Sequence, residues 1–235
     1  MAGQQTGFVP RDYDVFAGLD VDKTNISVTF VDHEMAIKSM SLPNDAENLL
    51  GYVAKKFPDK RVAFAYEAGP TGYGLHDRIT AAGYPCMVVA PCMVPTARGH
   101  HVKTNRLDSQ KISESLRGGQ LKSIHVPSPS YRDLRHLIQL RDTCVRQATS
   151  TKLRIKGLLL FEGIPFPQPA GAPVQWSKSI VASLKTLACG GGVRFKLDQL
   201  IAALEFSKKQ VLATTKEIRR ASVRWTKKST GTSYF

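Results

Sequence analysis

At Pro127 and Pro129 the hydrophobic pattern of this 235-residue chain changes its period. Before them, short apolar runs that suit strands alternate with segments that suit helices; after them no strand signal occurs in residues 131–161. Alternation of strand and helix builds an α/β layer with a mostly parallel sheet. A helix-only stretch has to bury its apolar stripes against other helices. One packed layer does not satisfy both patterns, so the sequence predicts two parts, residues 1–128 and residues 129–235.

In the first part, residues 15–31 read as two β-rich segments joined by the turn-type cluster Asp22-Lys23-Thr24-Asn25, and Met35 to Leu42 as a third strand. The first is almost continuously apolar up to Asp20, as in a strand covered on both faces. Asn44 or Asp45 is placed to cap a helix through Lys56, with Ala46, Leu49, Leu50 and Val53 on one face. Strands over residues 61–66 and 85–90 flank a helix over residues 73–82, and a further helix spans residues 105–116.

In the second part, Leu134, Leu137, Cys144, Ala148, Ile155 and Leu158 recur in steps of three and four, with Arg141 and Thr151 in the same register. After a Pro/Gly-rich linker, a short helical stretch over residues 177–188 and a break at Gly190 to Gly192, the pattern returns at Leu197, Leu200, Leu204, Val211, Ile218 and Trp225. Two long helices in an antiparallel coiled-coil hairpin are expected. So narrow a stripe suits a seam, with Leu204 and Val211 mid-helix in its register, and a second copy is expected to cover what the hairpin leaves exposed, in a homodimer or higher oligomer.

Charge follows the same division. Residues 1–100 carry 9 basic and 11 acidic side chains, a net of −2, whereas residues 101–235 carry 24 and 8, a net of +16. So basic a half points to a polyanionic partner, DNA or RNA. No apolar run approaches the roughly 18 residues of a membrane span, and the N-terminus has no apolar signal core, so a cytoplasmic protein without a membrane partner is expected. Four scattered cysteines form no Cys-x-x-Cys pair and read as ordinary thiols.

The chemically suggestive residues are acids in the less basic half. Asp20 and Glu67 stand at strand ends, and Asp108 lies in the first turn of a helix after the basic stretch His100 to Arg106. Ligands gather at strand ends in open α/β sheets. Carboxylates brought together there repel one another unless a cation sits between them, and magnesium prefers oxygen ligands. Two such ions about 4 Å apart clamp the attacking and leaving oxygens of a phosphodiester. Each acid also has an ordinary reading as a cap or surface residue; Asp108 suits a helix dipole, and Asp22 suits its turn. Gly69-Pro70-Thr71-Gly72 lacks the lysine and glycine spacing of a phosphate-binding loop, which counts against a sugar- or acetate-kinase-like ATPase.

Three segments, Gly18-Leu19-Asp20-Val21-Asp22-Lys23, Tyr66-Glu67-Ala68-Gly69-Pro70-Thr71-Gly72 and Lys103-Thr104-Asn105-Arg106-Leu107-Asp108-Ser109, resemble the acidic motifs of the DEDD transposases of bacterial insertion-sequence family one-ten, relatives of the Piv DNA invertases. Val88-Val89-Ala90-Pro91 before the third motif also resembles the family, and the likeness covers residues 15–230. The resemblance implies an RNase H-like fold close to Holliday-junction resolvases, with four acids that bind magnesium for DNA strand cleavage. It implies a coiled-coil segment for dimer assembly and for holding a structured guide RNA, then a domain bearing a nucleophilic serine. Carried over by position, Asp20 is the first acid, Glu67 the second and Asp108 the fourth.

Two departures stand out. Asn105 occupies the third acid's place, and the serine-bearing domain has no recognisable copy, Ser233 in the tail lacking its setting. The expectation is therefore a truncated transposase or site-specific recombinase. The alternative is a non-catalytic remnant that binds nucleic acid and dimerises. Lys103 and Arg106 beside the third motif are candidate nucleic-acid contacts. So are Arg132, Arg135 and Arg146, which share one face of the helix from Tyr131, opposite Leu134, Leu137 and Cys144.

Overall fold

The computed structural model describes residues 8–91, 105–168 and 176–230, and the chain divides into two compact units, Met1–Val126 and Pro127–Phe235. In the first, β1 (Val15–Val21), β2 (Asn25–Val31) and β3 (Ala36–Pro43) form an antiparallel meander, and β4 (Val62–Glu67) and β5 (Cys86–Val89) add in parallel beside β1. The sheet order is β3-β2-β1-β4-β5 with β2 alone reversed, the RNase H-like α/β arrangement that the resemblance implies.

Alternation along β1 and β4 gives the sheet two buried faces. Val15, Ala17 and Leu19 point with Val62, Phe64 and Tyr66 into a core shared with Leu49 and Val53 of α1 (Ala46–Lys56) and Ile79 of α2 (Gly74–Ala81). Phe16, Ala63 and Ala65 point the other way, against Ile112 and Leu116 of α3 (Asn105–Arg117). Asp45 is the residue that caps α1, its carboxylate accepting from the Glu47 backbone N–H at 3.1 Å.

The second unit holds α4 (Pro129–Phe161), α5 (Lys178–Lys185) and α6 (Gly191–Thr230). Helices α4 and α6 run antiparallel: Arg141 Nε donates to Thr215 Oγ1 at 3.0 Å, whereas near the opposite ends Ile155 and Leu158 share a core with Leu197 and Ile201. The three-four pattern is buried as Cys144, Ala148, Thr151, Ile155 and Leu158 on α4. Polar residues survive in this seam because each bonds its own helix. Thr151 donates to Gln147 O, Ser207 to Ala203 O and Thr214 to Gln210 O, at 2.9, 2.9 and 2.7 Å.

One expectation changes here. The break expected at Gly191 and Gly192 is instead the start of α6, where Arg194 ties that turn down with bonds to the Leu184 and Leu187 carbonyls and an ion pair to Asp198. The expected packing of the two long helices on each other is present, and Leu204 is wholly buried in a core completed by Val181 and Leu184 of α5. Trp225 has its side chain outside the described set, as do the linker residues 169–175.

Candidate functional site

The site is built on the face of the sheet that α3 covers. The parallel register Phe16↔Ala63, Gly18↔Ala65 continues one alternate step to Asp20 and Glu67, so these acids end two neighbouring strands on the same face. Neighbouring strands lie about 4.8 Å apart, which places the two backbones side by side. Both residues are half-buried.

Gly18 decides where the third acid sits. A Cβ at this position would lie 2.2 Å from the Ser109 carbonyl oxygen and 2.3 Å from the Ser113 nitrogen, so the α3 backbone rests directly on β1. Only a residue without a side chain permits that approach. The contact is tied by Thr29, register partner of Gly18, whose hydroxyl lies 2.9 Å from the buried Ser109 hydroxyl and 2.9 Å from that of Ser39. Ser109 and Ser113 are wholly buried, and Ser113 donates to Gln110 O at 2.7 Å. Pinned so, the first turn of α3 brings Asp108 to the Asp20 end of β1. Sequence reasoning named the acids and missed this seam. Its signals were a glycine inside an apolar strand and serines four residues apart on a helix.

The electrostatics agree with that placement. Burial, then the charges of Asp108 and Asp22, holds the Asp20 carboxyl above its ordinary value near 3.8. Asp108 is balanced by Lys111, 3.6 Å away on the next turn. Asp22 serves the β1–β2 turn, accepting from the Lys23 N–H at 2.6 Å while its own N–H donates to Asn25 O. Among the described residues no three His, Cys, Asp or Glu side chains are gathered tightly enough to hold a metal ion as they stand. Asp20, Glu67 and Asp108 thus share one face and one end of the sheet without closing into a coordination sphere. As a donor set they fit a hard divalent cation: every ligand atom is oxygen, and the raised Asp20 carboxyl is what such a charge would relieve.

Asp20 carries a stability prediction with a definite sign. The folded protein holds its proton more tightly than the unfolded chain, so this group costs stability as pH rises from about 3.8 through its raised folded value, and the cost persists above. Asp20→Asn should therefore melt slightly higher than the wild type at pH 7 in chelator-containing buffer, with the gain shrinking on acidification. A variant that melts lower at neutral pH would contradict the crowding of carboxylates inferred here.

The other candidates are dispersed. Asn105 opens α3, but its side chain lies outside the described set, and Lys103, His100, His101, Cys92 and Ser233 lie outside the described residues altogether. Arg106 is exposed in the first turn of α3. In the second unit Arg135 and Arg146 are exposed and Arg132 half-buried on α4; Arg146 is ion-paired with Asp142 one turn earlier. No helix among the described residues is long and apolar enough to cross a membrane.

Comparison with known proteins adds the following. Residues 17–162, more than half of the chain, match the family model for DEDD transposases of the IS110 type, described as "Transposase". The chain is 32% identical over 168 residues to y4qE of Sinorhizobium fredii, which bears the name of a transposase, covering 68% of this chain and 43% of y4qE. It is 24% identical over 110 residues to the transposase for insertion sequence element IS1533 of Leptospira borgpetersenii, covering 46% of this chain and 32% of that protein. The chain thus spans less than half the length of these curated relatives. Among solved structures, T. thermophilus RuvC in complex with a Holliday junction substrate aligns at 14% identity with a TM-score of 0.33, covering 48% of this chain and all of RuvC.

Proposed function

We propose, from the premise that this chain belongs to the IS110 family of DEDD transposases, that its first unit is the DNA-cleaving part of a site-specific recombinase that moves an insertion sequence. The observation that carries this reading is the convergence of Asp20 and Glu67 on neighbouring strand ends with Asp108, whose charge acts on Asp20. Asp20, Glu67 and Asp108 would hold magnesium; when bound, it supplies positive charge for the phosphodiester oxygens during strand cleavage. Asp20 is the member of this set whose carboxyl burial and the charge of Asp108 both push up, so it is the one a cation would most relieve. Asn105 offers an amide oxygen in place of a carboxylate and weakens the set by one charge.

The second unit is the nucleic-acid-holding part in this reading. Its excess of basic residues, with Arg135 and Arg146 exposed on α4, suits a structured guide RNA as well as DNA. Ile138, Leu140 and Leu212 remain exposed on α4 and α6 and offer apolar surface for a homodimer or higher assembly, in the coiled-coil manner expected of the family. The protein works in the cytoplasm, where the DNA is.

The test is cleavage of branched DNA with titrated magnesium. Wild type should cut and Asp20→Asn should not, and Asn105→Asp should shift half-maximal magnesium to lower concentration by restoring a charge. A wild type that binds DNA but leaves it intact at every magnesium concentration would favour the second reading, a non-catalytic binding and dimerising remnant. Asn105 at an acid's position is the observation on that side.

A further inference from the structure

Glu67 is the residue at which the chain leaves the sheet, and the path it takes next is closed by its own neighbour. Ladder pairing holds Glu67 opposite Val89 of β5, and the Ala68 N–H donates to the Val89 carbonyl at 2.8 Å. The chain then turns back. The Gly72 N–H donates to the Gly69 carbonyl at 3.1 Å, and Gly72 takes a φ of +69°. Glycine adopts that left-handed conformation freely, where other residues are strained. In it the Gly72 carbonyl accepts from the Tyr66 hydroxyl at 3.1 Å.

Tyr66 makes this bond from the opposite face of the sheet. Alternation puts its ring, wholly buried, in the core with Phe64 and with Ile79 of α2, whereas Glu67 faces the side of α3. Residues 67–72 therefore form a closed loop, held at one end by the ladder and at the other by the side chain that precedes it. The same hydroxyl serves α2. That helix opens at Tyr73 without a side-chain cap, and His76 is its third residue, one of the first four whose N–H groups find no acceptor within a helix. The Tyr66 phenol oxygen interacts with the His76 backbone N–H. One hydroxyl thus caps α2 and latches the loop. Packing alone does not call for it, because phenylalanine fills such a site two residues earlier, at Phe64 on the same face.

We infer that Tyr66 is a positioning residue for Glu67: its hydroxyl keeps the loop over residues 67–72 closed and so fixes the strand end from which the Glu67 carboxylate meets the cation. This inference rests on the proposed cleavage at Asp20, Glu67 and Asp108. Tyr66 touches neither metal nor DNA. An acid on a frayed strand end has to be ordered when the metal binds, and an acid on a latched one is ordered beforehand.

The test uses the full chain, with magnesium affinity read by calorimetry and cleavage of a four-way DNA junction read over a magnesium titration. Tyr66→Phe keeps the ring and deletes the hydroxyl. It should weaken magnesium binding about 10-fold, the low end of what losing a ligand's supporting partner costs, and move half-maximal magnesium for cleavage by the same factor. DNA affinity without metal should stay at the wild-type value. Gly72→Ala strains the other end of the same bond, at a position where a Cβ meets nothing within 4 Å, and should reproduce the shift without touching the core. A double-mutant cycle with Glu67→Gln identifies the route. In that background Tyr66→Phe should weaken magnesium no further, because the residue it acts through is already gone. An equal further loss there would make Tyr66 a purely structural residue and overturn the inference. Wild-type magnesium affinity in both Tyr66→Phe and Gly72→Ala, beside an inactive Glu67→Gln, would overturn it too and leave the cleavage reading standing. Glu67→Gln cutting as well as wild type would overturn the cleavage reading and this inference with it.

Discussion

Gly18→Ala should cost the first unit at least about 3 kcal/mol, the upper end of what overpacking usually costs, and abolish DNA cleavage. The added methyl meets two backbone atoms of α3, at 2.2 and 2.3 Å, and no flexible side-chain end that could swing aside. Relief requires moving the helix. That movement would break the Thr29–Ser109 bond, open the core of Phe16, Ala65, Ile112 and Leu116, and carry Asp108 away from Asp20. For a unit of this size the melting midpoint should fall by roughly 10–20 °C. Thermal unfolding followed by circular dichroism checks it, and an unchanged midpoint would mean that α3 does not rest on β1. Cleavage should fail even below the new midpoint, because geometry as well as stability depends on this contact.

The second large effect is expected in the helical unit. Leu204→Asp places a carboxyl in a site of no solvent exposure among Ile155, Leu184, Leu197 and Ile201. Losing a buried leucine side chain alone costs about 2–5 kcal/mol. An unpaired buried carboxyl adds to that, whether it ionises against desolvation or is forced to keep its proton. The total approaches the stability of a whole domain, about 5–15 kcal/mol, so the α4–α6 pair should lose cooperative unfolding. Leu212→Asp, on the same helix but 73% exposed, is the control and should change stability by about 0.5 kcal/mol or less. Equal melting of the two variants would show that the seam is not the intramolecular core seen here. Only the exposed position then informs on self-association: a shift in light scattering with Leu212→Asp, at unchanged helicity, would locate a partner surface outside the seam.

Much of the fold was legible from local chemistry. The near-continuous apolar run along β1 announced a strand covered on both sides, Asp45 announced the start of α1, and the three-four spacing from Cys144 to Leu158 announced the buried side of α4. These are signals of period and capping, which depend on neighbours within a turn or a strand. Glu67 and Asp20 were legible as strand ends for the same reason. The starting point of α6 was not. Gly191 and Gly192 disfavour helix locally by about 1 kcal/mol each, and the bonds that Arg194 makes back to the Leu184 and Leu187 carbonyls, which hold that turn, cannot be read from residue type.

The sequence alone determined the two-part organisation, the strand and helix order, the acids and the basic bias of the second half, because each is written in residue type and spacing. Tertiary structure alone decided two things. It put Asp108 beside Asp20 through the bare backbone contact at Gly18, and it brought α5 onto the α4–α6 seam to complete the core around Leu204. Each of these depends on residues tens of positions apart meeting at a few ångströms. Periodicity within a segment specifies which face is buried, but not which other segment buries it.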